Sequence, residues 1–131
     1  MRNIKRLFAL SMAGLTLTVG SHASAAEWVS LGKASFGLEF FYDISSKKTT
    51  RQGTKQIWIK STGGTDSVAG KLITSQLYLK EFKCLNSSSR IIQLITYYED
   101  DSNDTAKPTD SAFNYVAPDT IEESIMRKVC R

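Results

Sequence analysis

Short segments rich in β-branched and aromatic residues alternate with polar turns along most of the chain. Runs of this kind, bounded by Gly, Asn, Asp and Ser, are typical of antiparallel strands. The two longest, 74–84 and 90–99, flank the polar turn 86–89 and predict a hairpin. The remaining pattern predicts shorter strands at 27–33, 38–42, 56–60 and 113–116, and loops at 61–70 and 99–110. The segment 47–53 is turn-like, with a short strand as the alternative.

The periodicity changes after Pro118. Thr120 is a typical N-cap residue, and Glu123 three positions later completes a capping box. The apolar residues that follow share one helical face, and they are Ile121, Ile125, Met126, Val129 and Cys130. Because such a face must be covered, we predict an α+β fold in which an antiparallel sheet of about six strands carries one C-terminal helix on one face.

The chain contains two cysteines, Cys84 and Cys130, which lie far apart in the sequence. An isolated pair in an exported chain predicts a disulfide, here tying the helix to the end of the strand 74–84. It would stabilise the fold by roughly 4 kcal/mol in the chain-entropy description. The alternative is a redox pair, which usually has Cys-x-x-Cys spacing. Tyr78 and Phe82 alternate with Cys84, so we expect this side of the strand to lie under the helix.

The first 25 residues have the pattern of a cleavable signal peptide. Arg2, Lys5 and Arg6 precede the apolar run 7–19, and a small-x-small motif ends at Ala25. A transmembrane anchor is the alternative, but it needs about 20 apolar residues. We therefore expect a signal peptide at 1–25 and one domain at 26–131, exported to the periplasm or cell surface, with no membrane span and no lipid anchor.

Removal of this segment changes the chemistry available to the domain. The chain has 1 histidine, His22, and it lies in the signal peptide. Without it, Ser-His-Asp and Cys-His catalysis and histidine metal sites are excluded. Three of the basic residues also leave, so the remaining domain is nearly neutral and a broad nucleic-acid-binding surface is not indicated. We expect a protein that is not an enzyme and that has no cofactor, metal or nucleic-acid partner.

Several residues occur in the order and spacing of a known family, and they are Trp28, Phe41-Tyr42-Asp43, Trp58, the segment 79–84, Arg90, Tyr97-Tyr98, Pro118, Thr120, Glu123 and Cys130. With these residues the chain resembles the bacterial surface-adhesin protein E family over nearly all of the predicted domain. The resemblance implies a six-stranded antiparallel sheet whose C-terminal helix is held by a disulfide. It also implies a binding domain of a Gram-negative bacterium, with a host matrix protein as partner. The alternative is a periplasmic structural or assembly factor that binds another bacterial envelope protein through the uncovered face of the sheet. A basic cluster before the strand of the first cysteine is a feature of the family's adhesin. This chain departs from that feature, because only Lys71 lies there, with Lys80 and Lys83 further along.

A sheet with one helix leaves its second face partly uncovered. The strand alternation places an apolar set there, namely Leu77, Leu79, Ile91, Ile95 and Tyr97. The aromatic residues Trp28, Trp58 and 40–42 would divide between the two faces. An exposed apolar patch favours self-association or partner binding, so we expect a homodimer or protein-binding surface there.

Two groups of acidic residues are candidate sites, one for calcium binding and one for acid-base chemistry. The segment 99–104 carries carboxylates at alternating positions, as calcium ligation requires, but it lacks the turn glycine of an EF-hand loop. We expect a solvated hairpin loop there, with a calcium site as the alternative. Glu39 would form a carboxylate pair for acid-base chemistry if it met Asp43 or Glu81 across strands. Exposed strand ends explain these residues equally well.

Overall fold

A computed structural model describes residues 25–108 and 112–131, so the predicted signal peptide lies almost entirely outside the described residues. The described chain forms nine strands and one α-helix. The strands are β1 (Trp28–Lys33), β2 (Glu39–Asp43), β3 (Lys48–Thr49), β4 (Lys55–Thr62), β5 (Ser67–Val68), β6 (Lys71–Lys83), β7 (Ser88–Tyr98), β8 (Asn103–Ala106) and β9 (Asn114–Tyr115), and the helix is α1 (Ile121–Val129).

The sheet is antiparallel, with the main strand order β1-β2-β4-β6-β7-β8. The predicted count of about six matches this path, but the sheet has nine strands because three two-residue strands join its sides. β3 lies in the turn-like segment 47–53, where a short strand is the predicted alternative, and β5 lies in a segment predicted as a loop. β5 pairs with β6 through a tight turn at Ala69 and Gly70, which both have positive φ, as a two-residue hairpin turn requires.

The predicted loop 99–110 is shorter than expected, because β8 occupies its centre and pairs with β7 from Leu94 to Tyr97. β8 consists of exposed, mostly polar residues, so it lacks the apolar alternation by which strands are recognised. Its pairing with β7 satisfies backbone groups on that side of the sheet.

The long hairpin of β6 and β7 contains a register shift that affects which residues share a face. Leu79 is opposite Gln93, whereas the next residue, Lys80, is opposite Ile91. One additional residue of β7, Ile92, is therefore accommodated between the two pairs, which is the arrangement of a β-bulge. Residues 88–91 of β7, which precede the bulge, therefore point to the opposite faces of the sheet from those that uninterrupted alternation predicts.

The core lies between α1 and one face of the sheet, and its buried members are Tyr42, Ile57, Ile59, Phe82, Ile125 and Val129. Phe82 is 0% exposed, and Tyr78 packs against the same cluster. The predicted side of β6 therefore does lie under the helix. Cys84 and Cys130 form the predicted disulfide, with Cα atoms 5.7 Å apart.

The helix begins where the sequence predicts. The Thr120 hydroxyl accepts a hydrogen bond from the backbone N–H of Glu123 at 3.1 Å. The Glu123 carboxylate accepts in return from the backbone N–H of Asp119 at 2.9 Å, one residue earlier than in a standard capping box.

Candidate functional site

The face of the sheet opposite α1 carries a continuous set of half-buried large side chains, and we call it the open face. Residues paired across neighbouring strands point to the same side, so the register of β1, β2, β4, β6 and β7 defines this set. Its large members are Trp28, Phe41, Trp58, Lys60, Leu77, Leu79, Ile95 and Tyr97. No helix of the described chain covers them.

At one side of the open face, a lysine cation lies next to two aromatic rings. The Nζ atom of Lys60 lies 4.7 Å from the centroid of the Trp28 ring and 5.0 Å from that of Phe41. These are cation–π distances, and the rings hold the long lysine side chain flat against the sheet. This part of the face therefore presents a positive charge within an aromatic surface.

The centre of the open face is aliphatic. Leu77 lies between Lys60 of β4 and Ile95 of β7, and Leu79 lies beside Trp58. Tyr97 follows Ile95 on the same side of β7 and is opposite Ser75. Four of the five apolar residues named from the sequence, Leu77, Leu79, Ile95 and Tyr97, are thus brought together.

Ile91 lies on the other face of the sheet, which corrects its expected position. It is paired with Lys80 and lines a cavity of about 470 Å³ beneath the helix, together with Ile121 and Ile125. The physical reason is the bulge at Ile92, which changes the side to which the beginning of β7 directs its residues. Strict alternation along the sequence gives no sign of a bulge.

Lys71 lies at the beginning of β6, away from the centre of the open face. Its Nζ forms a 2.8 Å ion pair with Asp100 and lies 5.8 Å from the centroid of the Tyr98 ring. The hydrogen bond from Lys71 lowers the pKa of the Asp100 carboxyl well below its usual value. The charge of Lys71 is therefore largely compensated within the chain.

A buried polar cluster lies at the edge of the open face, beside the beginning of β4 and the end of β6. The sequence analysis did not identify it as a unit. Glu81 is 2% exposed and forms an ion pair with Arg90, and it also accepts a hydrogen bond from the Thr54 hydroxyl. Burial raises the pKa of Glu81, but the hydrogen bonds from Thr54 and Arg90 outweigh it and leave the pKa below its ordinary value. The alternation that places Leu77 and Leu79 on this face also places Glu81 there, so the signal was present in the sequence.

The carboxylates considered for acid-base chemistry are not brought together. Glu39 is opposite Thr62, whereas Asp43 lies at the other end of β2, where it accepts hydrogen bonds from the backbone N–H groups of Glu27 and Ser45. Glu81 is engaged with Arg90. The cavity lined by Glu81 and the cavity lined by Glu122 each contain no second carboxylate.

The acidic segment considered for calcium also has partners within the protein. Asp100 is paired with Lys71, and the carboxylate of Asp104 accepts a hydrogen bond from the Tyr98 hydroxyl at 3.0 Å. Residues 25–108 and 112–131 contain no group of three or more His, Cys, Asp or Glu side chains arranged to hold a metal ion. In the same residues, no helix is long and apolar enough to cross a membrane.

Comparisons with known proteins give one result. Residues 28–131 match the family described as surface-adhesin protein E. No curated protein and no solved structure matches the chain.

Proposed function

Because the chain belongs to the surface-adhesin protein E family, we propose that it is an exported, non-enzymatic domain that binds a protein partner through the open face. The signal-peptide pattern at 1–25 supports export to the periplasm or cell surface. The partner is a host matrix protein or a protein of the bacterium's own envelope, and the two differ in what the domain does: adhesion in the first case, envelope assembly in the second.

The uncovered open face is the observation that carries this proposal. Leu77, Ile95 and Trp58 form an aliphatic and aromatic centre, with the cationic Lys60 at one side. Protein-binding surfaces combine such a centre with a polar rim, and aromatic residues are enriched in them. A second copy of the chain is a further candidate for this face, and it would give a homodimer.

The engagement of two cavity-lining carboxylates with cations supports a non-enzymatic role. The single histidine lies in the predicted signal peptide. Glu81 and Glu122 each line a cavity, and each is engaged with a cation, Arg90 and Lys80 respectively. A general base needs a free lone pair beside its substrate, and these arrangements favour a structural role for both groups.

The test is capture on the immobilised domain with a variant that alters only the open face. Leu77→Ser together with Ile95→Ser removes two apolar side chains from its centre. Phe36→Ser is the matched control, since Phe36 is 90% exposed and lines the cavity on the helix side. Wild type and Phe36→Ser are expected to capture the same protein, and the double variant is expected to lose it.

The panel should contain host extracellular-matrix and plasma proteins in one arm and the bacterium's envelope extract in the other. The arm in which capture occurs decides between adhesion and envelope assembly. Capture that survives the double variant would show that the partner binds elsewhere. Sedimentation of the same variants measures whether a dimer uses this face.

A further inference from the structure

The charges of this domain are separated along the strands, although its net charge is close to neutral. At one end, the segment before β5 and β6 carries Asp66 and the turn after β7 carries Glu99 and Asp101, and all three are exposed. The other end contains the beginning of β4, the end of β6 and the last turn of α1. We call it the basic end, and it carries Lys47, Lys48, Arg51, Lys55, Lys83, Lys128 and Arg131.

The cations of the basic end are not compensated by neighbouring acids. None of the seven forms an ion pair within the described chain, where the ion pairs are Lys71–Asp100, Lys80–Glu122, Arg90–Glu81 and Arg127–Glu123. The carboxylates of Asp43 and Glu81 lie at this end, but both are buried and hydrogen-bonded. Glu27 is the exposed carboxylate of this region in the described chain. The end therefore presents a positive surface to solvent.

Three large apolar or aromatic side chains project into solvent from the same end. Leu85 is fully exposed in the turn between β6 and β7, Tyr115 on β9 is 74% exposed, and Ile44 after β2 is 45% exposed. Leu85 lines a surface depression together with Lys83 and Asn86, so apolar and cationic groups are interleaved. The disulfide next to Leu85 fastens this turn to the end of α1.

From these observations we propose that the basic end attaches the domain reversibly to a membrane surface rich in anionic phospholipids. Lysine and arginine side chains would contact lipid phosphates, and the apolar Leu85 would enter the boundary between headgroups and acyl chains. Tyr115, with an apolar ring and a polar hydroxyl, would lie at the level of the headgroups. A free polyanion would use the cations alone and leave Leu85 in water. The exposed leucine therefore favours a lipid surface over a soluble anionic polymer.

This attachment is independent of the protein-binding function proposed for the open face. The basic end is formed by the ends of the strands, whereas the open face is formed by their sides. A domain bound to a membrane through the basic end would still present Leu77 and Ile95 to a partner. Failure of one proposal leaves the other in place.

The test is co-sedimentation of the purified, disulfide-bonded domain with lipid vesicles. We expect binding to vesicles in which about one-third of the phosphatidylcholine is replaced by phosphatidylglycerol, and at least about tenfold weaker binding to phosphatidylcholine alone. Raising the salt from about 0.1 M to about 0.5 M should weaken binding to the anionic vesicles, because the surface potential is screened. Equal binding to both kinds of vesicle would overturn the proposal.

Variants at the two ends of the domain distinguish attachment of the basic end to anionic vesicles from non-specific adsorption of the protein. Leu85→Ser, and Lys48→Gln combined with Lys83→Gln, are each expected to weaken binding to anionic vesicles by about threefold to tenfold. The matched controls at the other end, Phe36→Ser and Lys33→Gln, should bind as wild type does. Retention on a sulfated polysaccharide that is unaffected by Leu85→Ser, without vesicle binding, would assign the basic end to a soluble polyanion and overturn the proposal.

Discussion

Two nitrogen atoms of the Arg90 guanidinium converge on one carboxylate oxygen of Glu81, with Nε at 2.7 Å and Nη2 at 2.6 Å from Oε2. The other oxygen of Glu81 accepts from the Thr54 hydroxyl. The cluster thus joins three parts of the chain: β6, β7 and the turn between β3 and β4. The carboxylate is satisfied on both sides, as a buried charge requires.

Removal of the Glu81 carboxylate is predicted to destabilise the fold strongly. Glu81→Ala would leave Arg90 without this carboxylate and Thr54 without its acceptor, and breaking one side of a buried ion pair typically costs about 3–5 kcal/mol. The measurement is the free energy of unfolding in urea. The control is Glu123→Gln, which removes the charge that pairs with the exposed Arg127 and should cost about 1 kcal/mol or less. Equal losses in the two variants would contradict this account of the cluster.

Stability is predicted to fall as the pH is lowered. The pKa of Glu81 lies below the ordinary value of 4.5 in the folded state, and that of Glu122 is also lowered, because hydrogen bonds from Lys80 and Ser89 outweigh the effect of burial. A carboxyl group with a lowered folded pKa contributes its full stabilisation above the unfolded pKa and loses it as pH falls through the folded pKa.

Urea titrations between about pH 6 and about pH 3 should therefore show a declining free energy of unfolding. The decline should be smaller for Glu81→Gln, because one of the titrating groups is absent. A free energy that stays constant or increases over this range would contradict the prediction.

The disulfide is predicted to be a major contribution to stability. Its cysteines are separated by 46 residues, and closing a loop of this length restricts the unfolded chain by about 4 kcal/mol at room temperature. Cys84→Ser combined with Cys130→Ser should lower the free energy of unfolding by an amount of this order. Reduction of the wild type should have the same effect, while the double variant should not respond to reductant.

The N-cap of α1 is predicted to contribute a smaller amount. Thr120→Ala removes the acceptor for the Glu123 backbone N–H and should cost about 1 kcal/mol in the free energy of unfolding. Ser124→Ala, at an exposed position one turn later, is the control and is expected to change stability little. A loss that is the same in both variants would mean that the cap does not stabilise the helix.

The elements with strong local signals were predicted well from the sequence. The helix was recognised from Thr120, Glu123 and the spacing of its apolar residues, all of which are local properties of the chain. The long strands β6 and β7 and the cysteine pair were recognised for the same reason. β5 and β8 were missed as strands, and at β3 a short strand was only the alternative to a turn. All three are short and mostly polar and are held by pairing with a longer neighbour.

The composition of the candidate site was only partly predictable. Period-two alternation identified Leu77, Leu79, Ile95 and Tyr97, because the side to which a strand residue points is a local property. It gave the wrong face for Ile91, since the bulge at Ile92 depends on how β7 pairs with β6. The contact of Lys60 with Trp28 and Phe41 joins three strands, so only their register brings it about.

By itself, the sequence determined the type of each major element and the pairing of the cysteines, because these follow from the residues and their spacing. The tertiary structure decided which side chains meet. Strand pairing fixed the register that exposes the open face and directs Ile91 toward the helix. Packing of strand ends beside the end of α1 gathered lysines and arginines from distant segments into the basic end, because charges far apart in a sequence become neighbours only when the chain folds.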